Sequence, residues 1–433
     1  MPFRQATRGI QLRLLIWKNN FEGRNFSKNK QIFDCKCSKT QSQTNIKPLF
    51  ATTIKSMKNL LFIFLIFSLA TFLQECKSPY FPPIPPKQTN YLVVEGYITS
   101  DSPTVIKLSR TRVVSQYDTA RIIPETNANV VVKDDHGNSY SLREDAAGIY
   151  IMDPVFLDAS FKYRLHISTF NHKEYQSDFV PFETSPPITG TDWSLKSGGV
   201  QWYVSTKDES NQSHYYRWVY RETWEYHTPY ISGFDFDPVS YVIFPRVDPV
   251  HICWVTGNSS TIVLGSSVGR KDNVVHNNLI FFPEHDERLS VLYSALITQY
   301  QLDSAAYNFW KTMQNNTENI GTLFDAQPHE LTGNIHCLTD TSEKVIGYIG
   351  AGHTSEYRGF IDNNSLPATW NQPTNCTTMF VPNIPDTLAF FLSVGYVPLY
   401  EDYVNNRKGY DLTFKECGDC TFKGTPVKPA FWR

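Results

Sequence analysis

Gly265-Ser266-Ser267-Val268-Gly269 has the G-x-S-x-G spacing of a serine nucleophile. That chemistry needs a strand before Ser267 and a helix after it, so that the hydroxyl projects over a sheet and meets helix N–H groups. The preceding "STIVL" can supply the strand, but "RKDNVVHNNLIFFP" carries no helical pattern. A glycine-flanked turn is therefore expected, with an exported hydrolase as the alternative. Glu284, His285, Asp286 and Glu287 offer oxygen and imidazole ligands, yet neighbouring residues rarely converge on one ion and no H-E-x-x-H helix accompanies them. A solvated turn is expected there, with no metal and no cofactor; hydrolysis through this cluster is the second form of the alternative.

Cys253, Cys337, Cys376, Cys417 and Cys420 follow the leader region, an odd number that leaves at least one thiol unpaired within the chain. Cys417-Gly418-Asp419-Cys420 has C-x-x-C spacing, but a redox pair of that kind needs its first cysteine at a helix start, and the following "TFKGTP" is not helical. Structural cross-links are expected, with Cys337 paired to Cys376 and Cys253 paired to one of the two C-terminal cysteines. In "HYYRWVYRETWEY", Tyr216, Trp218, Tyr220, Trp224 and Tyr226 fall on one strand face, and Arg217, Val219, Arg221, Thr223 and Glu225 on the other. Trp218, Tyr220 and Trp224 could stack a flat or apolar ligand. Burial under a docked helix is the commoner fate of such a row. Arg217 and Arg221 would then face solvent or pair with Glu225.

The elements that position these residues are mostly strands. "YLVVEGYIT", "TVIKLSRTRVV", "NVVVKDDHGNSYSLRE", "GIYIM", "KYRLHIST" and "KEYQSDFVPF" read as short strands separated by turns, one of them at Asp135–Asn138. Tyr163, Leu165 and Ile167 alternate with Arg164, His166 and Ser168, as in a half-buried strand. The set predicts an immunoglobulin-like or transthyretin-like β-sandwich over 90–186, bounded by Pro186-Pro187. A larger β-rich domain over 187–433 would carry one docked helix, "LDSAAYNFWKTMQNNTENIG". Asp303 or Ser304 caps it, Ala306, Phe309, Trp310 and Met313 form its apolar face, and Gly321 ends it.

"MKNLLFIFLIFSLATFLQECKSPYFPPIPPKQ" begins at Met57. Its apolar run is shorter than the ~20 residues a membrane helix needs, and fits the h-region of a signal peptide instead. Cys76 just beyond it resembles the acylated cysteine of a bacterial lipoprotein, although Glu75 stands where a small residue is usual; a plain secretory signal is the alternative. Residues 57–75 then form the signal and 76–89 a proline-rich tether. Residues 1–56, with only Glu22 and Asp34 against eleven Lys and Arg, are read as a mis-assigned or unstructured leader, with Met57 as the start. Beyond residue 76 the chain holds 28 basic and 39 acidic residues, a charge of about −11, which argues against nucleic-acid binding.

Four stretches taken together resemble the family called domain of unknown function 4249. These are "YLVVEGYIT…TVIKLSRT", "HICWVTGNSSTIVLGSS", "YNFWKTMQNNTENIGTLFDAQPHELTGNI" and the ending "CGDCTFKGTPVKPAFW". The resemblance covers about Tyr91 to Trp432. It implies an outer-membrane lipoprotein of Bacteroidota, often encoded beside a TonB-dependent receptor, with no established activity and no catalytic residues. The expectation is a non-enzymatic, lipid-anchored envelope protein that handles an unknown ligand beside such a transporter; a structural or adhesive surface module is a further alternative.

Overall fold

Leu92, Val94 and Ile98 point to one side of the strand Leu92–Thr99 and are enclosed, while Val93, Glu95 and Tyr97 point to the other. That period-two pattern is what a sheet with one core-facing side requires. In the computed structural model, which describes residues 90–112, 122–318, 330–367, 370 and 375–433, the fold is mainly β with few helices. Leu92–Thr99 pairs antiparallel with Thr104–Arg110. The sheet then continues through Ile149–Met152, Ser139–Ala146, Asn129–Asp134, Lys162–Ser168 and Glu174–Ser177. The turn at Asp135–Asn138 is present, with Asp134 Oδ1 accepting from the His136 and Asn138 amides. Tyr163, Leu165 and Ile167 are enclosed in the first core, as their alternation predicts.

The division at residue 186 needs correction. Ile335–Cys337, Val345–Gly347 and Ala351–His353 return from the later chain to pair with Glu174–Ser177, Leu92–Thr99 and Val180–Thr184. Ile335, Cys337, Val345, Ile349 and Ala351 complete the first core. These short apolar runs bury their faces only against strands far back in sequence, a pairing that local pattern does not reveal.

A second core lies between two further sheets. Ile188–Lys196, Gly199–Lys207 and Val274–Pro283 form one; Ile252–Asn258, Tyr215–His227, Leu292–Leu302, Ser355–Asp362 and Val263–Ser266 form the other. Trp202, Val204, Tyr216, Trp218, Phe282 and Tyr293 fill the space between them. Trp218 Nε1 donates to Gln299 Oε1 at 2.8 Å, and Gln299 Nε2 donates to the Pro186 carbonyl at 2.7 Å, so these two buried side chains find partners.

The helix Ser304–Glu318 starts at Asp303, whose Oδ1 accepts from the Ala306 amide at 2.6 Å. Ala306 and Phe309 are buried; Gly321 lies outside the described residues. The helix docks on the opposite side of Tyr215–His227 from the aromatic row, with Tyr307 against Tyr215 and Trp310 against Arg217. Tyr216, Trp218 and Tyr220 are covered by the other sheet instead, and Tyr226 by the Cys253–Cys420 disulfide. A second helix, Pro385–Ser393, was not foreseen; it packs with the sheet Met379–Pro382, Arg407–Phe414 and Tyr396–Val404 around a third core. Its start is marked by a proline and by Asp386 in the first turn, a helix-opening pattern.

Candidate functional site

Arg217 is the residue around which a site can be built. It faces outward from the five-stranded sheet, opposite Tyr300 in the neighbouring strand. Its guanidinium carbon lies 3.6 Å from the ring centroid of Trp310 and 5.7 Å from that of Tyr300. The outward side of Leu92–Thr99 closes the space, with Tyr97 edge-on to Tyr300 at 4.9 Å. Gly350 permits this approach, since a Cβ there would stand 2.7 Å from Tyr97 Cε2. The result is a cleft of about 510 Å³ between the first sheet and the helix-covered sheet. It shares Gly96, Tyr97, Arg217, Tyr300, Trp310 and Tyr348 with an adjoining recess, which Glu183 and Asp303 also line.

Arg217 Nε and the Tyr97 hydroxyl are both shut off from solvent and, among the described residues, have no hydrogen-bond partner. Loss of solvent lowers the Arg217 pKa to about 10, against the opposing pull of Tyr300 and Glu95, so the group stays charged at neutral pH. Burial, followed by the charge of Glu183, pushes the Tyr97 phenol well up, so it stays a neutral donor. Glu183 is pushed up by burial and then by Asp303. Gln301 donates to Glu183, and the Tyr348 hydroxyl donates to Asp303 Oδ1 at 3.3 Å, so both carboxylates are engaged.

The expected site residues are placed otherwise. Trp218 and Tyr220 are enclosed between the sheets and offer no face to a ligand; Trp224 is half-buried against the same core. The stacking expectation is corrected for Trp218 and Tyr220, because a sheet rather than solvent covers them. Arg217, expected to face solvent or pair with Glu225, stacks on Trp310 instead, while Glu225 takes the Trp432 indole N–H at 2.9 Å. Ser267 is enclosed in the turn after Val263–Ser266, with His214 Nδ1 at 3.4 Å and no helix following. The elbow context is therefore missing. Asp286 caps a short 3₁₀ turn and pairs with Arg288, and Glu287 pairs with Lys423. Among the described residues no group of three or more His, Cys, Asp or Glu is arranged to hold a metal.

Cys253 is bonded to Cys420 and Cys376 to Cys417, with Cα separations of 5.6 and 5.8 Å. The Cys337–Cys376 pairing is corrected: Cys337 is a buried free thiol in the first core, in a strand that returns to Glu174–Ser177. The two cysteines of the C-x-x-C spacing enter different bonds, so they are not a redox pair with each other. Cys76 lies outside the described residues.

A mainly β chain with this cleft can now be set beside known proteins. It belongs to the family described as Domain of unknown function (DUF4249), matched over residues 77–358. Tyr97, Arg217, Tyr300, Trp310 and Tyr348 all fall inside that range; Cys376, Cys417 and Cys420 fall beyond it, short of the extent to Trp432 that the resemblance suggested. No curated protein matches. Among solved structures, a Salmonella alpha-2-macroglobulin mutant matches at 8% identity and TM-score 0.17, over 74% of this chain and 16% of that one. The E. coli alpha-2-macroglobulin in its native conformation matches at 9% and 0.17, over 75% and 16%. The adhesin InvE of Yersinia pseudotuberculosis matches at 9% and 0.15, over 74% and 75%. The chain thus spans about a sixth of the alpha-2-macroglobulins, and scores this low carry no argument about fold or function.

Proposed function

We propose that this chain is a non-enzymatic, lipid-anchored protein of the bacterial outer membrane that captures or hands over a ligand beside a TonB-dependent transporter. The observation that carries the ligand-holding part is the pair of enclosed, unpartnered donors, Tyr97 and Arg217, lining one cleft. A cleft of that volume falls in the range of small-molecule sites. Two disulfides suit an oxidising compartment. The leader, Cys76 and the proline-rich tether support acyl anchoring, and the transporter partner comes from the resemblance to Bacteroidota lipoproteins. The strands from Tyr91 to Phe182 are read as an immunoglobulin-like or transthyretin-like sandwich serving as the scaffold.

Mass spectrometry of the mature N-terminal peptide tests the anchor. A diacylated or triacylated Cys76 is expected, and an unmodified Cys76 counts against it. Gentle solubilisation with the anchor intact should bring down a large β-barrel protein; recovery of the chain alone counts against the partner.

A further inference from the structure

Both groups left without partners in the cleft are donors, and one of them is a guanidinium. An enclosed donor without an acceptor is costly, so folded proteins normally supply one from water or a ligand. The nearby carboxylates are used elsewhere: Glu183 accepts from Gln301, and Asp303 caps its helix and accepts from Tyr348. Glu95 also lines the larger cleft, beside its cross-strand neighbour Lys107, and its charge acts on Arg217. Much of the rest is apolar, including Val93, Val219, Phe309, Met313 and Ile346. Trp310 holds the guanidinium flat from one side, which leaves its N–H edge as the means of recognition.

We infer that the cleft takes an amphipathic oxyanion, its carboxylate or phosphate head accepting from Arg217 and Tyr97 and its apolar body lying against Val93, Val219, Phe309 and Ile346. The inference rests on the reading that the cleft holds a ligand, and it names the class. A planar guanidinium fork suits either head group, and Tyr97 adds a neutral donor that a cation or a hydrocarbon would leave unpaired. The aliphatic wall supplies the affinity that exposed charge alone does not.

Titration calorimetry on the full chain held in amphipol, with octanoate, octyl phosphate, octanol and octyltrimethylammonium as probes, tests this. Octanoate or octyl phosphate should bind, and whichever is stronger identifies the head group. Octanol and the ammonium should bind at least about tenfold more weakly, as expected for losing a charge-assisted hydrogen bond. Arg217→Gln should weaken the anion by a similar factor. Tyr97→Phe, which keeps the ring and so carries the test if the arginine variant does not fold, should weaken it severalfold. Equal binding of octanol or the ammonium, unchanged affinity in a folded variant, or no binding by any probe would overturn the inference. The ligand-holding reading fails separately, on whether the chain from its own membranes carries any bound small molecule at Arg217.

Discussion

The Arg217 guanidinium lies 3.6 Å from the centre of the Trp310 ring, and this contact joins the start of a β-strand to the helix that follows the neighbouring strand. Stacking on the indole gives the cation a favourable face while its Nε–H finds no acceptor among the described residues. The helix and the cleft therefore depend on one another.

Trp310→Ala should destabilise the chain by about 2 kcal/mol, from lost ring burial and lost cation–π attraction. Urea denaturation measures it. A midpoint equal to that of the parent would show that the stack contributes nothing to docking the helix.

Trp218→Ala should cost about 3–5 kcal/mol, because the ring is fully enclosed between two sheets and Gln299 loses its donor. Thermal unfolding checks this. A change in ligand affinity at unchanged stability would return Trp218 to the role of an exposed stacking surface.

Removing one disulfide by a Cys253→Ser, Cys420→Ser double replacement should lower stability by about 2–5 kcal/mol under oxidising conditions. A non-reducing peptide map should show Cys253 linked to Cys420 and Cys376 linked to Cys417. A peptide linking Cys417 to Cys420, or Cys337 to Cys376, would contradict the pairing.

Glu343 joins Arg110, Lys173 and the Tyr175 hydroxyl in the first sheet. Burial works against its charge, but hydrogen bonds from Lys173 and Tyr175, with the charges of Lys173 and Arg110, outweigh it and hold the carboxyl below its ordinary 4.5. A depressed folded-state pKa stabilises the native state above the unfolded value and is lost as pH falls through the folded one. Glu343→Gln should therefore cost about 2 kcal/mol at neutral pH. The gap to the parent should close as pH falls below 4.5. A gap that stays constant into acid would remove the ion pairs from the explanation.

Local pattern carried much of the fold. Alternation at Tyr163, Leu165 and Ile167, the turn at Gly137 and the Asp303 cap are all visible within a few residues of chain. The site was much less legible. Arg217 looked solvent-facing because nothing in its own strand says that Trp310 will cover it. Tyr97 reads as one more strand aromatic, and its importance arises only when Gly350 is brought beside it from far along the chain. The one hint was Arg217 set between Tyr216 and Trp218, a signal that Arg221 beside Tyr220 shares. Cys337 was misjudged for a similar reason: its strand returns to the first core, while Cys376 is bonded to Cys417.

Native mass spectrometry of the chain isolated from its own membranes tests the account most directly. The parent should carry a non-covalently bound small molecule that is released on mild activation, and a folded Arg217→Gln variant should lack it. Identical spectra for the two proteins, whether both bare or both loaded, would contradict the account.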